Sequence, residues 1–529
     1  MKLPGAKRNV ALPLLIPILV LLHTAGLRAG TTVQAWVQRY HGSVTSDDGA
    51  SALAVDLVGN VYVTGGSSGT NGIFDVATIA YSSAGTPLWT NRYHGPFASF
   101  NDQATSVVVD NSNGNVYVTG SVSVLWECGT IAYSSSGAPL WTNLCGCDPQ
   151  AIGVDTNGNV YVAGTFGGMQ ANYVTVAYSS AGVPLWTNRY FGPDGTDMVE
   201  AMAVDGRGKV YVTGWSAGSE GTVNYATVAY SAAGAALWTN RYSDGQPGAN
   251  DGALAAAVDN SNGNIYVTGS SDYAGSGSGP DYVTIAYSSA GTPLWTNRYD
   301  GPGNNTDGGG DVVAVDSTIG NVYVAGDSIG TNNPYEYVTI AYSSAGAPLW
   351  TNFYSAGTNI DTTVSAVAVD SNGNVIVSGD CYSYTDGGYL GYVTIGYSSS
   401  GIPLWTNIYQ GPGNTGGQVP GPFCLGVGPG GAVYVTGSSG GTDGTDYATV
   451  KYVPAPNILF SGINRLPNST CQLLLTAPTN VAYRLDASAD LANWLTLTNF
   501  PPLPATSLQY TDTLAPGFPT RFYRTVWNP

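Results

Sequence analysis

Short runs of β-branched and aromatic residues, separated by clusters of Gly, Ser, Asn and Pro, recur along most of the chain. Residues 281–299 (DYVTIAYSSAGTPLWTNRY) show this pattern clearly, because two such runs flank the turn-forming cluster SSAGTP. The pattern predicts two antiparallel strands joined by a tight turn. Copies of the same hairpin end at Tyr93, Tyr190, Tyr242, Tyr354 and Tyr409.

Four strand signatures follow one another in a fixed order. The first is an apolar strand that ends in Asp, such as ALAVD (52–56), and the second follows a Gly-Asn turn and reads VYVTG (61–65). The hairpin supplies the third and fourth. The second and third signatures occur eight times, whereas the Trp of the fourth occurs seven times in register, and AWVQRY (35–40) precedes the first complete set. A linear stack would leave this N-terminal strand unpaired, so the order favours a closed ring.

The spacing of the repeat indicates its architecture. Trp36 and Trp405 are 369 residues apart over seven steps, or about 53 residues per unit, within the range of four-stranded propeller blades. We therefore predict an all-β protein with an eight-bladed β-propeller that the N-terminal strand closes. Seven blades are the alternative, because one step is short: Trp141 and Trp186 are only 45 residues apart.

These units resemble the SBBP family of bacterial β-propeller repeats through GNVYVTG, DYVTIAYSSAG and PLWTNRY, over roughly residues 34–452. The resemblance implies a secreted or cell-surface β-propeller, a type of protein that often has no known activity. The chain departs from the family pattern in two respects. The family name refers to seven blades, and Lys precedes the final aromatic residue of the third strand only at Lys451.

Composition changes at both ends of the repeat. Residues 1–29 combine a basic start, a short apolar run and small residues, which predicts a secretory signal peptide. The repeat predicts a propeller over residues 30–453. Prolines and then short β-like runs follow, which predict a small C-terminal β-sandwich over residues 454–529. We therefore expect a secreted or cell-surface protein.

Charge narrows the classes of partner. Only 9% of the residues are charged, and the formal net charge of −18 at pH 7 disfavours contact with the phosphates of nucleic acid. No later stretch is apolar enough for a membrane-spanning helix, so the mature chain is expected to lack a transmembrane segment. A protein or a glycan remains as the expected partner.

Export would permit disulfide bonds among the six cysteines. Cys128 and Cys145 stand at equal distances from the turn SSSGAP, so antiparallel pairing predicts that they face each other and form a bridge. A second bridge is predicted between Cys381 and Cys424. Cys147 stands two residues after Cys145, but no second Cys/His cluster accompanies the pair, which argues against a metal site.

The loops between second and third strands differ from copy to copy and share one face with the links between units. One feature of that face recurs, namely an Asp eight or nine residues before the Asp that ends the next first strand. The six residues are Asp48, Asp102, Asp197, Asp251, Asp307 and Asp361. A ring of these carboxylates at the channel mouth would offer oxygen ligands to Ca²⁺. Alternatively, each Asp caps its own turn by accepting backbone N–H bonds. No other cofactor is predicted.

Aromatic residues in the variable loops are candidates for stacking on a ligand. They are Phe74, Trp126, Phe166, Trp215, Tyr273, Tyr335, Tyr382, Tyr384 and Tyr389. The Trp and Tyr residues within the strands recur in every unit instead, which favours packing between units over ligand contact.

The sequence favours a binding scaffold over an enzyme. It contains three histidines and no GxSxG, HExxH or P-loop motif. The leading hypothesis is a secreted β-propeller that binds a protein or glycan through its variable loops. The alternatives are a polysaccharide hydrolase or lyase that uses loop carboxylates, and a purely structural module of the cell envelope.

Overall fold

The computed structural model describes residues 32–42, 47–69, 72–96, 99–122, 127–168, 170–218, 221–245, 248–272, 279–301, 309–329, 335–385, 387–412, 422–441, 444–454, 459–476, 482–501, 507–518 and 520–527. The segment of the predicted signal peptide lies outside these ranges. The chain divides into two compact units, of which the larger is Thr31–Val453 and the smaller contains Pro454–Pro529.

The larger unit contains β-strands throughout. Its first half comprises β1 (Thr32–Tyr40), β2 (Asp48–Val55), β3 (Val61–Ser68), β4 (Phe74–Tyr81), β5 (Pro87–Tyr93), β6 (Gln103–Val109), β7 (Val116–Ser121), β8 (Glu127–Tyr133), β9 (Pro139–Gly146), β10 (Asp148–Val154), β11 (Val160–Phe166), β12 (Asn172–Tyr178), β13 (Pro184–Tyr190), β14 (Asp197–Val204), β15 (Val210–Ala217), β16 (Val223–Tyr230) and β17 (Ala236–Tyr242).

Its second half continues the same alternation of strands and turns. It comprises β18 (Asp251–Val258), β19 (Ile265–Ser271), β20 (Asp281–Tyr287), β21 (Pro293–Tyr299), β22 (Gly309–Val315), β23 (Val322–Ile329), β24 (Tyr335–Tyr342), β25 (Pro348–Tyr354), β26 (Ile360–Val369), β27 (Val375–Ser383), β28 (Gly388–Tyr397), β29 (Pro403–Tyr409), β30 (Pro422–Gly428), a 3-10 turn (Pro429–Gly431), β31 (Ala432–Gly440) and β32 (Thr445–Pro454).

Within the described residues these strands form eight four-stranded antiparallel sheets. Sheets 1 to 7 each take four consecutive strands in order, from β2–β5 to β26–β29. Sheet 8 has the order β1-β32-β31-β30, so the N-terminal strand is its outer strand. First strands of successive sheets contact one another, and β2 also contacts β30. This strand order is that of a β-propeller.

The core is divided among the interfaces between sheets. One cluster joins Tyr62 and Val76 of sheet 1 to Val118 and Ile131 of sheet 2, and equivalent clusters follow at the next interfaces. Sheets 8 and 1 share a cluster of the same kind. Second and third strands are therefore buried on both faces, whereas outer strands such as β5 alternate between exposed and partly buried residues. Strands that are buried on both faces have near-continuous apolar runs, such as VATIAY, instead of alternating apolar and polar residues.

The Trp-Thr-Asn motifs of sheets 1 to 6 tie each of these sheets to the one that follows it. The indole of Trp89 donates to Ser135 O of the following sheet at 3.1 Å, and Asn91 donates to Gly137 O at 2.8 Å. Gly137 has a φ of 83°, and a Cβ there would lie 2.6 Å from the Trp89 ring. Only Gly therefore suits this turn. Indole donors in this arrangement are Trp36, Trp89, Trp141, Trp186, Trp238, Trp295 and Trp350.

The smaller unit contains two three-stranded sheets. Its elements are β33 (Leu459–Arg465), β34 (Cys471–Thr476), β35 (Tyr483–Ser488), β36 (Trp494–Phe500), β37 (Ser507–Asp512), a 3-10 turn (Ala515–Gly517) and β38 (Phe522–Trp527). The sheets have the orders β33-β34-β37 and β36-β35-β38 and share one core, which includes Leu473 and Leu485. Two sheets around a shared core make a small sandwich.

Candidate functional site

Three tyrosines gather at the loop end of the β27–β28 hairpin. The ring of Tyr382 lies 5.4 Å from that of Tyr384 and 5.2 Å from that of Tyr389, and both pairs are edge-to-face. Tyr384 is 61% exposed, which is unusual for so large a ring. We call these three residues, together with Tyr335, the tyrosine patch.

Asp361 joins the tyrosine patch across two sheets. Its carboxylate accepts a hydrogen bond from the backbone N–H of Tyr335 at 2.9 Å and another from the hydroxyl of Tyr384. Thr362 donates to Tyr335 O at 3.1 Å. The first strand of sheet 7 therefore holds the start of β24 in sheet 6, which places Tyr335 beside Tyr384.

The phenols of Tyr384 and Tyr389 are neutral at physiological pH, because the pKa of each is raised. Hydrogen bonding to the Asp361 carboxylate raises the pKa of Tyr384, because ionisation would place two negative charges side by side. Burial, followed by the charge of Asp380, raises the pKa of Tyr389. Neutral phenols can both donate and accept hydrogen bonds, so the patch offers ring faces together with polar groups.

Two carboxylates of sheet 6 are shielded from solvent, Asp327 almost fully and Asp311 in part. Burial raises the pKa of Asp311 to about 7. Asp327 is 9% exposed and accepts a hydrogen bond from Val364 N at 2.7 Å. Burial and then the charge of Asp311 raise its pKa well above the usual range for Asp.

Sequence reasoning overlooked Asp311 and Asp327, although a signal was present. An acidic residue follows the second-strand motif directly only in units six and seven, at Asp327 and Asp380. Asp311 occupies the irregular position of its first strand, where the register shifts between Gly309 and Val312. An extra residue in a strand re-aims a side chain away from the regular pattern.

The calcium ring at the channel mouth stays a prediction, and four of its six carboxylates are buried at the starts of sheets 1, 2, 4 and 5. These are Asp48, Asp102, Asp197 and Asp251, all with 0% exposure. Each accepts a backbone N–H from the preceding link, namely from Gly42, Gly95, Gly192 and Asp244. Buried carboxylates need hydrogen-bond partners, and these backbone N–H groups supply them. The four residues thus cap turns, as the alternative interpretation predicts. Asp361 instead accepts hydrogen bonds from Tyr335 and Tyr384 of the tyrosine patch. Asp307 lies outside the described residues.

The other predicted aromatic residues do not join the patch. Phe74, Phe166 and Trp215 are partly buried in sheets 1, 3 and 4, and the guanidinium of Arg189 lies 4.1 Å above the Phe166 ring. Trp126 and Tyr273 lie outside the described residues. Of the predicted aromatic set, the structure therefore brings together Tyr335, Tyr382, Tyr384 and Tyr389.

Two histidines lie at equivalent junctions between sheets. Nδ1 of His41 is 2.7 Å from Asp446, and Nδ1 of His94 is 2.9 Å from Asp75. An arginine shares each carboxylate, Arg39 in the first case and Arg92 in the second. Asp48 completes a group with His41 and Asp446, and Asp102 completes a group with His94 and Asp75. Each group is compact enough to hold a cation. The neighbouring arginine already neutralises part of the negative charge of each group, which favours a structural ion pair over a bound cation.

The structure joins Cys128 and Cys145 by a disulfide, and the two residues are direct partners across β8 and β9. The predicted bridge between Cys381 and Cys424 is wrong, because both are free. Cys381 belongs to the core between sheets 6 and 7, whereas Cys424 belongs to the core between sheets 8 and 1. Cys381 lies in the second strand of sheet 7 and Cys424 in the first strand of sheet 8, so the two side chains meet different interfaces, which sequence spacing does not reveal.

In the part of the chain that the structure describes, no helix is both long and apolar enough to cross a bilayer.

Comparison with known proteins yields structural likeness only. No family model and no curated protein match the chain. The β-propeller domain of the Trilobed protease from Pyrococcus furiosus is 8% identical, with 68% of this chain and 98% of that chain covered and a TM-score of 0.40. Puromycin hydrolase is 10% identical, with 85% and 62% covered and a TM-score of 0.41. A gluconolactonase from Xanthomonas campestris is 13% identical, with 57% and 89% covered and a TM-score of 0.26.

Likeness at this level carries no argument about function, and the assignment of the fold rests on strand topology. The chain is a β-propeller protein with an aromatic patch at one end of sheets 6 and 7 and two shielded carboxylates, Asp311 and Asp327, in sheet 6.

Proposed function

We propose that this protein is an exported, eight-bladed β-propeller that binds a neutral glycan through the tyrosine patch. The eight sheets would be the blades, and β1 would close the ring. The core shared by sheets 8 and 1 supports closure, as does the hydrogen bond from Trp36 to Ser83 O. The disulfide between Cys128 and Cys145 supports export, since such bonds persist in oxidising compartments.

The observation that carries the proposal is a surface cluster of tyrosines in which Tyr384 is 61% exposed, Tyr382 and Tyr389 are partly exposed, and Tyr382 contacts both of the others. Aromatic rings with free faces stack on the C–H faces of sugars, while phenol hydroxyls bond to sugar hydroxyls. Asp361 fixes Tyr384 and Tyr335, so little ordering is needed on binding. The net charge of −18 disfavours anionic sugars, which is why the proposed ligand is neutral.

Replacing Tyr384 with Ala is expected to weaken glycan binding about tenfold, equivalent to roughly 1.4 kcal/mol. The loss follows from removal of an exposed stacking surface that contributes little to the core. The measurement is isothermal titration calorimetry with a neutral oligosaccharide that first registers on a glycan array. Phe191→Ala is the matched control, because Phe191 is 66% exposed but lies after β13, away from the patch. Equal affinities for both variants, or no neutral glycan on the array, would contradict the proposal.

A second candidate function is polysaccharide hydrolysis. Asp311 has a pKa of about 7, which suits a general acid, and Asp327 is a second carboxyl group whose charge interacts with it. If the protein is a hydrolase, reducing ends will appear when it is incubated with the glycan that it binds. Asp311→Asn would then abolish their release but leave the affinity intact. Binding without release assigns the protein as a scaffold, and a failure to bind any glycan favours a structural module.

A further inference from the structure

Three sulfur atoms meet at the open end of the β8–β9 hairpin. Sγ of Cys147 lies 3.2 Å from Sγ of Cys128 and 3.3 Å from Sγ of Cys145, which are joined by the disulfide. The backbone bends back here, since Cys147 N donates to Cys145 O at 3.2 Å. The free thiol therefore lies against a disulfide within its own segment of chain.

Only one of these sulfurs faces solvent. Cys128 and Cys147 have 0% exposure, whereas Cys145 is partly exposed. Cys145 lines a groove of about 250 Å³ between the outer parts of sheets 2 and 3. Val174 and Pro184 contribute apolar walls, and Arg189 contributes a positive charge. Such a groove suits a small ligand with an apolar body and a carboxylate.

We propose that Cys128, Cys145 and Cys147 form a thiol–disulfide exchange site that takes up a small, carboxylate-bearing disulfide on Cys145. Cys147 supplies the reducing equivalent, and the groove with Arg189 selects the incoming disulfide. This activity is independent of glycan binding, because it lies in sheets 2 and 3 and shares no residue with the tyrosine patch.

The exchange proceeds in two balanced steps. In the first, the Cys147 thiol releases its proton to solvent and the thiolate attacks Sγ of Cys128, so that Cys145 leaves as a thiolate. In the second, the Cys145 thiolate attacks one sulfur of the incoming disulfide, a mixed disulfide forms, and the other half leaves as a thiolate. The incoming disulfide is thus the oxidant, and the protein gains a second disulfide bond.

The first step requires a rotation of the Cys147 side chain. Its nearly equal distances to the two bonded sulfurs place it beside the S–S bond, whereas attack requires alignment with that bond. Exchange moves the free thiol from a buried position to a partly exposed one. The free thiol therefore becomes available to solvent without unfolding of the sheet.

Charge and burial at Cys147 predict how the rate depends on pH. Burial raises the pKa of the Cys147 thiol to about 12, the charge of Asp148 adds to the effect, and Arg189 opposes it. Tyr178 also interacts electrostatically with this thiol. Since the thiolate is the nucleophile, the rate should rise about tenfold per pH unit between about pH 7 and 9.

The test uses dithiobis(nitrobenzoate), an anionic aromatic disulfide, on the purified native protein. We expect release of about one equivalent of thionitrobenzoate and a mixed disulfide on Cys145, with Cys128 bonded to Cys147. Mass spectrometry of peptides locates both bonds and separates this reaction from the free Cys381, Cys424 and Cys471. A label on Cys147, or no label at Cys145, would overturn the proposal.

Two variants sharpen the result. Cys147→Ser removes the attacking thiol, so Cys145 should stay in its disulfide with Cys128 and remain unlabelled. A label on Cys145 in this variant would also overturn the proposal. Arg189→Gln should slow the reaction with the anionic reagent about tenfold more than the reaction with neutral dithiodipyridine, which slows only because loss of the positive charge raises the pKa of Cys147. Equal slowing of both reagents would contradict the role of Arg189. The melting temperature of each variant, with the wild type as reference, establishes that it is folded.

Discussion

Replacement of Arg39 with Ala is expected to destabilise the larger unit by about 2–4 kcal/mol, because it removes a partly buried ion pair and several hydrogen bonds. Arg39 lies on the N-terminal strand and bonds to Asp446 at 2.7 Å. It also donates to the side chain of Ser439 at 2.8 Å and to Gly440 O at 2.8 Å. All three partners lie more than 390 residues away in sequence.

The expected consequence goes beyond the local loss of stability. Arg39 joins the two ends of the propeller chain, so its loss should release β1 from β32 before the other sheets unfold. An exposed edge of β32 would then be open to pairing with another molecule. Arg298→Ala is the matched control, because Arg298 makes the same kind of contacts to Asp281 and Ser271 within one sheet of consecutive strands.

Hydrogen–deuterium exchange distinguishes the two variants. Arg39→Ala should speed exchange in β1 and β32 selectively, whereas Arg298→Ala should affect only β19, β20 and β21. Urea unfolding supplies the change in the free energy of unfolding for each variant. If β32 remains protected in Arg39→Ala, this ion pair does not hold β1 in sheet 8.

Asp311→Asn is expected to stabilise the protein above pH 7 and to have little effect near pH 4. The folded protein holds the pKa of Asp311 at about 7, whereas an Asp in the unfolded chain titrates at about 3.9. Between these values the folded state keeps a proton that the unfolded state has released. The free energy of unfolding therefore falls as the pH rises through this window, and the cost is complete above pH 7.

The size of this effect is on the order of 2–4 kcal/mol, from a shift of about 3 pKa units reduced by partial access of solvent. Burial of Asp327 acts in the same direction, so the wild-type protein should be most stable on the acidic side of neutrality. Urea titrations between pH 4 and pH 8 provide the measurement. Asp194→Asn serves as the exposed control and should leave the profile unchanged. A parallel profile for Asp311→Asn and the wild type would contradict the prediction.

Local patterns predicted the strands well because they depend on neighbours in sequence. The alternation of VYVTG, DYVTIAY and PLWTNRY placed four strands per unit, and the displaced AWVQRY predicted that β1 would join the last sheet. The pairing of Cys128 with Cys145 follows from the same local register. Each of these predictions needs only the period of a strand and the position of a turn.

Predictions that depended on the direction of a side chain were less successful. The Asp residues before the first strands were visible as a periodic feature, yet Asp102 turns inward to cap Gly95 while Asp361 turns towards Tyr335 and Tyr384. Cys381 and Cys424 lie in adjacent units but belong to different cores. Sequence distance carries no information about which face of a junction a side chain meets.

The sequence by itself determined the number of strand signatures, their order and the unpaired position of the N-terminal strand, because these are properties of a repeat. Only the tertiary structure decided which variable-loop residues meet. Tyr335, Asp361 and Tyr384 come from three different strands and are close only because sheets 6 and 7 pack side by side. The same packing shields Asp311 in part from solvent and brings it near Asp327, and burial among distant segments raises the pKa values of both.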